Sequence, residues 1–397
     1  MEATHLLDVD GLQGLIDALA ARGYRVIGPT VRDATIVLAP LTSVDDLPRG
    51  WGDEQDAAHY RLRRREDEAL FGFAAPPQAV KQALFPAEEV IWRGRRTGED
   101  FAVHDRGVVE SDGQRYAFIG ARSCDLRAMA IHDTVLLGRQ YTDVRYAARR
   151  EGAFVVAVTC SDPAGTCFCV SMGGGPQPQD GYDLSLTELL DTGGHRFVVT
   201  VGTELGAQVL SEVPTRAVTP AETGAAQDVA TRAAGRMGRT LDTDGIKEVL
   251  YAAADSPRWD DVASRCLACT NCTMVCPTCF CTSVEDVADL TGDVAERRRV
   301  WDSCFSEDFA FIHGGTVRPE IRSRYRQWMT HKLGSWIDQF GMSGCVGCGR
   351  CITWCPAAID ITAEAAALRW VAAPVPAPAA GGPTAPGPAP TTGGSLR

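Results

Sequence analysis

The spacing of apolar residues predicts an α/β fold for the first half of the chain. Residues 10–23 follow a helical period, with Asp10 as the predicted N-cap and Gly23 at the end. A second helix is predicted over Cys124–Leu137. Short apolar runs with the character of strands lie at Tyr24–Ile27, Thr35–Leu38, Tyr116–Ile119, Phe154–Val158 and Phe197–Val201. Because strands alternate with helices, we expect an α/β (α+β) domain, with helices packed on a mixed sheet.

The remaining stretches of the sequence indicate where the domains begin and end. Residues 44–112 are polar and irregular, and a helix near Thr231–Tyr251 is expected to close a first domain over 1–258. A cysteine-rich domain follows over 259–365. Residues 373–397 contain seven Pro and five Gly and so few large apolar side chains that we expect a disordered tail.

An insertion of helical character is predicted inside the cysteine-rich domain, over about 282–340. Its clearest part is an apolar stripe at helical spacing, which consists of Ile321, Tyr325, Trp328, Leu333, Trp336 and Phe340. Such a stripe is typical of a helix that buries one face, here against the rest of the cysteine-rich domain.

Composition and charge argue against several classes of function. The chain has 397 residues, of which 45% are hydrophobic and 23% charged, and its formal net charge is −12. An acidic protein is poorly suited to generic binding of nucleic acid or of an anionic membrane. No apolar run approaches the length of a membrane span, and the first residues lack the pattern of a secretory signal.

The cysteines are the unusual feature of the composition. Of fifteen in total, four lie between Cys124 and Cys169 and eleven between Cys266 and Cys355. An odd number in a chain without a secretion signal is typical of a reducing compartment, where thiols ligate metals or carry out redox chemistry. We therefore expect the protein to be cytoplasmic.

Two stretches of the cysteine-rich domain have the spacing C-x2-C-x2-C-x3-C-P, namely Cys266–Pro277 and Cys345–Pro356. In bacterial ferredoxins with this spacing, three thiolates hold one [4Fe–4S] cluster and the fourth cysteine ligates the other cluster. Zinc is the alternative, but structural zinc usually takes two cysteine pairs separated by a wide gap. Two complete copies of the spacing favour iron–sulfur clusters.

Eight cysteines are the predicted iron ligands, four for each cluster. The first cluster takes Cys266, Cys269, Cys272 and Cys355. The second cluster takes Cys345, Cys348, Cys351 and Cys276. Arg350 lies inside the second motif, and its positive charge is expected to raise the reduction potential of that cluster.

A repeated segment suggests a further site. The sequence Thr-Cys-Phe-Cys-x-Ser occurs at residues 166–171 and again at 278–283. The first domain holds the four cysteines that a third cluster would need, which are Cys124, Cys160, Cys167 and Cys169. The alternative is a set of buried thiols behind the sheet. Three cysteines then remain, Cys279, Cys281 and Cys304, and the sequence leaves open whether they are structural, lie beside a cluster or ligate another group.

These motifs together resemble a known family. Besides the two ferredoxin stretches, the matching segments are Arg122-Ser-Cys-Asp-Leu-Arg-Ala128, Cys167–Pro176, Cys276-Pro-Thr-Cys-Phe-Cys281 and Asp302-Ser-Cys-Phe305. Over about residues 75–362 the chain resembles the iron–sulfur beta subunit of cytoplasmic, sulfhydrogenase-type NiFe hydrogenases. It is also similar to the corresponding iron–sulfur subunit of anaerobic sulfite reductase.

The resemblance implies a non-catalytic electron-transfer subunit, and we assign no catalytic residue. Its implied partners are a flavin-containing NAD(P)H reductase subunit and the small and large subunits of a NiFe hydrogenase. No Gly-x-Gly-x-x-Gly follows a predicted strand, so the sequence signals no nucleotide site of its own. Two alternatives stay open: the equivalent subunit of an anaerobic sulfite reductase or other flavin-linked reductase, and a self-contained enzyme or redox sensor.

Overall fold

The computed structural model describes residues 3–105, 114–138 and 140–372. Its strands are β1 (Ala3–Asp8), β2 (Tyr24–Arg32), β3 (Thr35–Pro40), β4 (Trp51–Asp56), β5 (His59–Arg64), β6 (Glu88–Thr97), β7 (Asp100–Asp105), β8 (Arg115–Ala121), β9 (Phe154–Val158), β10 (Leu184–Asp191), β11 (Gly194–Val201), β12 (Arg216–Ala217), β13 (Thr282–Ala288), β14 (Val294–Trp301), β15 (Phe311–Ile312) and β16 (Gly315–Thr316).

The helices of the described residues are α1 (Val9–Ala21), α2 (Lys81–Leu84), α3 (Ser123–Leu136), α4 (Val144–Glu151), α5 (Glu204–Leu210), α6 (Pro220–Ala234), α7 (Ile246–Ala252), α8 (Arg258–Arg265), α9 (Asn271–Met274), α10 (Ile321–Thr330), α11 (Trp336–Phe340), α12 (Arg350–Thr353) and α13 (Ile361–Ala372). A π-helical turn, His331–Ser335, joins α10 to α11. None of these helices is long and apolar enough to cross a membrane.

A mixed sheet of eight strands organises the first part of the chain, in the order β12-β1-β11-β10-β9-β8-β2-β3. The central strands β2, β8, β9 and β10 are parallel neighbours, and antiparallel strands flank them. Every residue of Phe154–Val158 is buried, as expected for a parallel strand covered on both faces. The prediction of a mixed α/β fold is thereby confirmed.

The first helix follows its predicted apolar face but begins two residues earlier than expected. The Asp8 carboxylate, rather than Asp10, accepts the capping hydrogen bond from the Gly11 amide at 2.8 Å. Leu12, Leu15 and Leu19 are buried against the sheet, because residues three and four positions apart share one face of a helix.

Two predictions about the connecting regions are wrong. Residues 44–105 are not irregular, because they contain strands β4–β7 and the short helix α2, and the rest of the predicted stretch lies outside the described residues. Thr231–Tyr251 is not one helix: α6 ends at Ala234, and α7 begins after Gly245, which adopts the left-handed conformation with a φ of 58°. Glycine reaches this conformation without strain and so interrupts the helical pattern.

The predicted helical insertion over 282–340 is not confirmed as a whole. Strands β13 and β14 form a hairpin that joins β6 and β7 in a sheet of order β13-β14-β6-β7. Ion pairs support this sheet, including Arg298 with Glu88 at 3.0 Å and Arg299 with Glu89 at 2.6 Å. Apart from one 3-10 turn at Asp308–Ala310, the helical part begins at Ile321 and holds the apolar stripe.

The apolar stripe packs on the cysteine-rich part of the chain, as predicted. Tyr325, Trp328 and Leu333 are buried in one core with residues of both ferredoxin-like motifs. The same core reaches back to Leu241 and Phe168, so the first part of the chain contributes to it. The division at residue 258 remains a prediction, and the tail over 373–397 lies outside the described residues.

Candidate metal centres

Each ferredoxin-like motif forms a tight loop followed by a short helix. In the first motif, Ala268 and Thr270 have positive φ angles of 49° and 66°, and α9 then carries Cys272. Gly347 and Gly349 occupy the equivalent positions of the second motif, with φ angles of 69° and 75°. The two motifs therefore share one backbone path.

The two glycines of the second motif also allow a close contact with the first part of the chain. The Phe168 amide donates a hydrogen bond to the Gly347 carbonyl oxygen at 2.9 Å. A Cβ atom on Gly349 would lie 2.4 Å from the Thr166 carbonyl oxygen. The repeated segment at 166–171 therefore packs directly on the second motif. The first motif has Ala268 and Thr270 at the positions equivalent to these two glycines, so it accommodates side chains there.

One cavity is lined by thiols from both motifs. Its five cysteines are the four that the spacing assigns to the first cluster, Cys266, Cys269, Cys272 and Cys355, and Cys351, which the spacing assigns to the second cluster. Apolar side chains form much of the remaining wall, including Phe305, Tyr325, Trp328, Ile359 and Ile361. Backbone amides point at the sulfur atoms: the Ala268 amide donates to Cys266 Sγ and the Ile359 amide to Cys355 Sγ, both at 3.4 Å.

The four cysteines predicted for the second cluster also lie together. Burial raises the pKa of Cys345 to about 12, and the neighbouring Cys348 and Cys276 thiols add to this increase. The pKa of Cys351 is raised by burial and by the same set of thiols. The Lys332 ammonium group donates a hydrogen bond to Cys276 Sγ at 3.2 Å.

The four cysteines of the first domain line a second cavity. Cys124 lies in the first turn of α3, Cys160 follows β9, and Cys167 and Cys169 belong to the repeated segment. The cavity also touches Cys348, so this site adjoins the second motif. Sequence elements that are far apart therefore converge on one cavity.

Burial makes these thiols poor acids in the chain alone. Burial raises the pKa values of Cys124 and Cys167 well above that of an ordinary cysteine thiol, and it raises the pKa of Cys169 to about 12. Because metal ligands must be deprotonated, a bound cation would have to supply the missing stabilisation. Within the described residues, no three His, Cys, Asp or Glu side chains converge tightly enough for a single metal ion. A cubane instead takes its four ligands on separate iron atoms.

Sequence reasoning missed several buried contacts of charged groups beside these sites. Lys81 and Lys332 are 5% and 6% exposed and lie next to the Cys276–Cys281 segment. The sequence indicates the charge of Arg350 but not its ion pair with Asp125 at 2.8 Å. The contacts of Lys81, Lys332 and Arg350 have no local sequence signal, because each joins positions that are distant in the chain.

Comparison with known proteins agrees with this geometry. Residues 265–359 match the family described as a 4Fe-4S dicluster domain. The beta subunit of sulfhydrogenase 2 from Pyrococcus furiosus is 33% identical over 264 residues, which cover 66% of this chain and 76% of that protein. No solved structure matches the chain. The chain therefore belongs to the family of iron–sulfur beta subunits of sulfhydrogenase-type hydrogenases, and its role is electron transfer.

Proposed function

We propose that this chain relays single electrons between a flavin-containing NAD(P)H oxidoreductase subunit and the catalytic module of a NiFe hydrogenase. The main support is the meeting of thiols from two distant motifs around one apolar cavity. The family relationship supports the hydrogenase complex over other oxidoreductases. The alternative is the equivalent subunit of an anaerobic sulfite reductase or another flavin-linked reductase.

In this proposal the two ferredoxin-like motifs hold two [4Fe–4S] clusters with exchanged fourth ligands. The ligand sets are Cys266, Cys269, Cys272 and Cys355 for one cluster, and Cys345, Cys348, Cys351 and Cys276 for the other. A bound [4Fe–4S] cluster supplies a site that gains or loses one electron. The chain contributes thiolates, amide hydrogen bonds to sulfur and an apolar surround, which together tune the potential.

The protein also controls access to the first of these sites. Tyr325 and Trp328 are almost fully buried and restrict water on the inner side. Cys269 is exposed and the neighbouring Leu267 is 66% exposed, so the site reaches the surface on its outer side. A partner subunit that covers this edge would come within short range of the cluster while excluding solvent from it.

A third cluster on Cys124, Cys160, Cys167 and Cys169 is part of the proposal. We expect Cys167→Ser to lower the iron content of the anaerobically purified protein by about four atoms per chain, the content of one cubane. Iron and sulfide analysis with EPR spectroscopy of the reduced protein measures this loss. A variant that keeps its full iron content would favour the alternative of buried structural thiols.

Purification of the chain with its native partners tests the function itself. We expect a nickel-containing large subunit and a flavin subunit to co-purify, and NAD(P)H to reduce the clusters only when the flavin subunit is present. A sirohaem-containing partner would support the sulfite reductase alternative. Turnover of a substrate with NAD(P)H by the isolated chain would contradict a relay. We also propose a reducing, cytoplasmic compartment, because cysteines that ligate iron–sulfur clusters must be kept reduced as thiolates.

A further inference from the structure

Two of the three lysines of this chain are buried beside the second motif. Lysine occurs at Lys81, Lys247 and Lys332, although Lys and Arg together number 39. Lys81 and Lys332 are buried, whereas Lys247 forms an exposed ion pair with Asp338 at 2.9 Å. Because a buried charge is costly unless a counter-charge is close, each buried lysine requires a negative group nearby.

Lys332 has a predicted ligand sulfur as its partner. It lies in the π-helical turn His331–Ser335, and its Nζ atom donates hydrogen bonds to Cys276 Sγ at 3.2 Å and to Thr278 Oγ1 at 2.9 Å. In the part of the chain that the structure describes, no carboxylate lies within ion-pair distance of this ammonium group. The counter-charge of Lys332 is therefore the Cys276 thiolate, together with the anionic cluster that this thiolate would ligate.

The backbone of Lys332 binds the other side of the same site. Its carbonyl oxygen accepts hydrogen bonds from the Gly344 amide at 2.8 Å and from Ser343 Oγ at 3.1 Å, directly before the second motif begins. The Thr278 hydroxyl donates to the Gly344 carbonyl oxygen at 2.9 Å, which closes a ring of hydrogen bonds. Lys332 thus links the segment that carries Cys276 to the start of the second motif.

Two further buried cations lie beside the second motif. Lys81 Nζ donates hydrogen bonds to the carbonyl oxygens of Cys276 and Cys279, each at 3.1 Å, so its acceptors are uncharged. Arg350 is buried inside the motif and pairs with Asp125 at 2.8 Å. Three buried cations at this site are thus matched by one carboxylate, and the surroundings of the second site are positive.

The first site has a different environment. Among the described residues, no charged side chain lines its cavity, and backbone amides of Ala268 and Ile359 supply the hydrogen bonds to its sulfur atoms. Arg324 is a buried cation on that side, but it donates to the carbonyl oxygens of Phe305 and Pro319. A reduced cluster carries more negative charge, so a positive environment and a charged hydrogen bond to sulfur raise its reduction potential.

We propose that Lys332 is a positioning residue of the second cluster, which holds the Cys276 ligand and raises the reduction potential of that cluster above the potential of the first cluster. Lys81 adds to this difference. The inference rests on the two clusters of the proposed function. It predicts an order of reduction, in which the second cluster is reduced first and the cluster at the exposed Cys269 edge is reduced at a lower potential.

Redox titration of the anaerobically purified full chain, followed by EPR spectroscopy, tests this order. The signal that is missing from Cys348→Ala identifies the second cluster, and we expect that signal to appear at the higher potential. Lys332→Met removes the charge with little change in side-chain length. At the potential that half-reduces the wild-type second cluster, we expect its ratio of reduced to oxidised form to fall by about tenfold or more, with a smaller change at the first cluster.

Three further variants separate the charge from the packing. Lys332→Arg keeps the charge and should restore most of the wild-type potential. Lys81→Met should lower the potential of the second cluster by a smaller amount, because Lys81 donates to carbonyl oxygens and not to sulfur. Lys247→Met is the matched surface control, and it should leave both potentials unchanged because solvent screens an exposed ion pair.

The inference is overturned if the first cluster is reduced before the second in the wild-type protein, or if Lys332→Met keeps both the wild-type iron content and the wild-type potential. A Lys332→Arg variant with full iron content and the same shift as Lys332→Met would also overturn it. If Lys332→Met loses the second cluster, Lys81→Met decides, since a lower potential supports the inference and an unchanged one contradicts it.

These results are distinct from a failure of the proposed function. Potentials that do not follow the lysine charges leave the electron-transfer role untouched, because both clusters are then present. A wild-type chain with fewer than about eight iron atoms would contradict the two clusters themselves.

Discussion

Replacing Cys355 with alanine is expected to remove the cluster of the first motif, although Cys355 belongs to the second motif. The reason is its position in the cavity that Cys266, Cys269 and Cys272 also line. We expect a loss of about four iron atoms per chain, and loss of electron transfer through the complex. Iron and sulfide analysis with EPR spectroscopy of the reduced protein measures the first effect.

Double variants identify which cluster is lost. If Cys355 and Cys269 ligate the same cluster, Cys269→Ala combined with Cys355→Ala should remove no more iron than either change alone. Cys348→Ala combined with Cys355→Ala should remove about eight iron atoms, because two clusters are then broken. The opposite pattern, additive loss with Cys269 and shared loss with Cys348, would mean that each motif supplies all four ligands of its own cluster.

The ferredoxin-like motifs were predictable because their information is local. Four cysteines and a proline within twelve residues form a motif that is visible in one short segment of sequence. The positive-φ positions were not predicted, because the first motif has Ala268 and Thr270 there and only the second has glycines, Gly347 and Gly349. The grouping of the first-domain cysteines was less predictable, because Cys124 and Cys160 come from separate strand–loop connections. Only the repeated segment indicated a shared site.

The parts that escaped prediction depend on contacts between distant residues. Strands β6 and β14 carry charged residues at many positions, so they lack the apolar alternation that identifies a half-buried strand. Cross-strand ion pairs such as Arg299 with Glu89 link the two strands, and no single segment reveals such a pair. The same limit applies to the buried lysines, since Lys81 and Lys332 approach the Cys276–Cys281 segment from distant parts of the chain.

Replacing Arg350 with glutamine is expected to lower both the stability of the protein and the potential of the second cluster. Arg350 is 1% exposed, pairs with Asp125 at 2.8 Å, and donates to the Pro76 carbonyl oxygen at 2.6 Å. Removing one partner of a buried ion pair costs about 3–5 kcal/mol. Chemical denaturation of the anaerobic protein measures this loss.

The expected change in the reduction potential of the second cluster follows from the loss of the Arg350 charge beside the Asp125 carboxylate. Arg350 lies beside Cys348. Burial raises the pKa of the Cys348 thiol, and the positive charge of Arg350 lowers it. A unit charge within about 10 Å contributes roughly 1–2 kcal/mol at an effective dielectric constant of about 20. Arg350→Gln removes a positive charge and leaves the Asp125 carboxylate without its partner, so the reduced, more negative cluster becomes less favourable.

A cycle of charge changes separates this electrostatic effect from general damage. Asp125→Asn should raise the potential, Arg350→Gln should lower it, and the double variant should return close to the wild-type value because the net charge is restored. The double variant should also recover part of the lost stability, since no unpaired charge stays buried. Redox titration followed by EPR spectroscopy gives the four potentials. If all three variants shifted the potential in the same direction, the shift would reflect distortion of the site, and the charge of Arg350 would have no role in tuning the cluster.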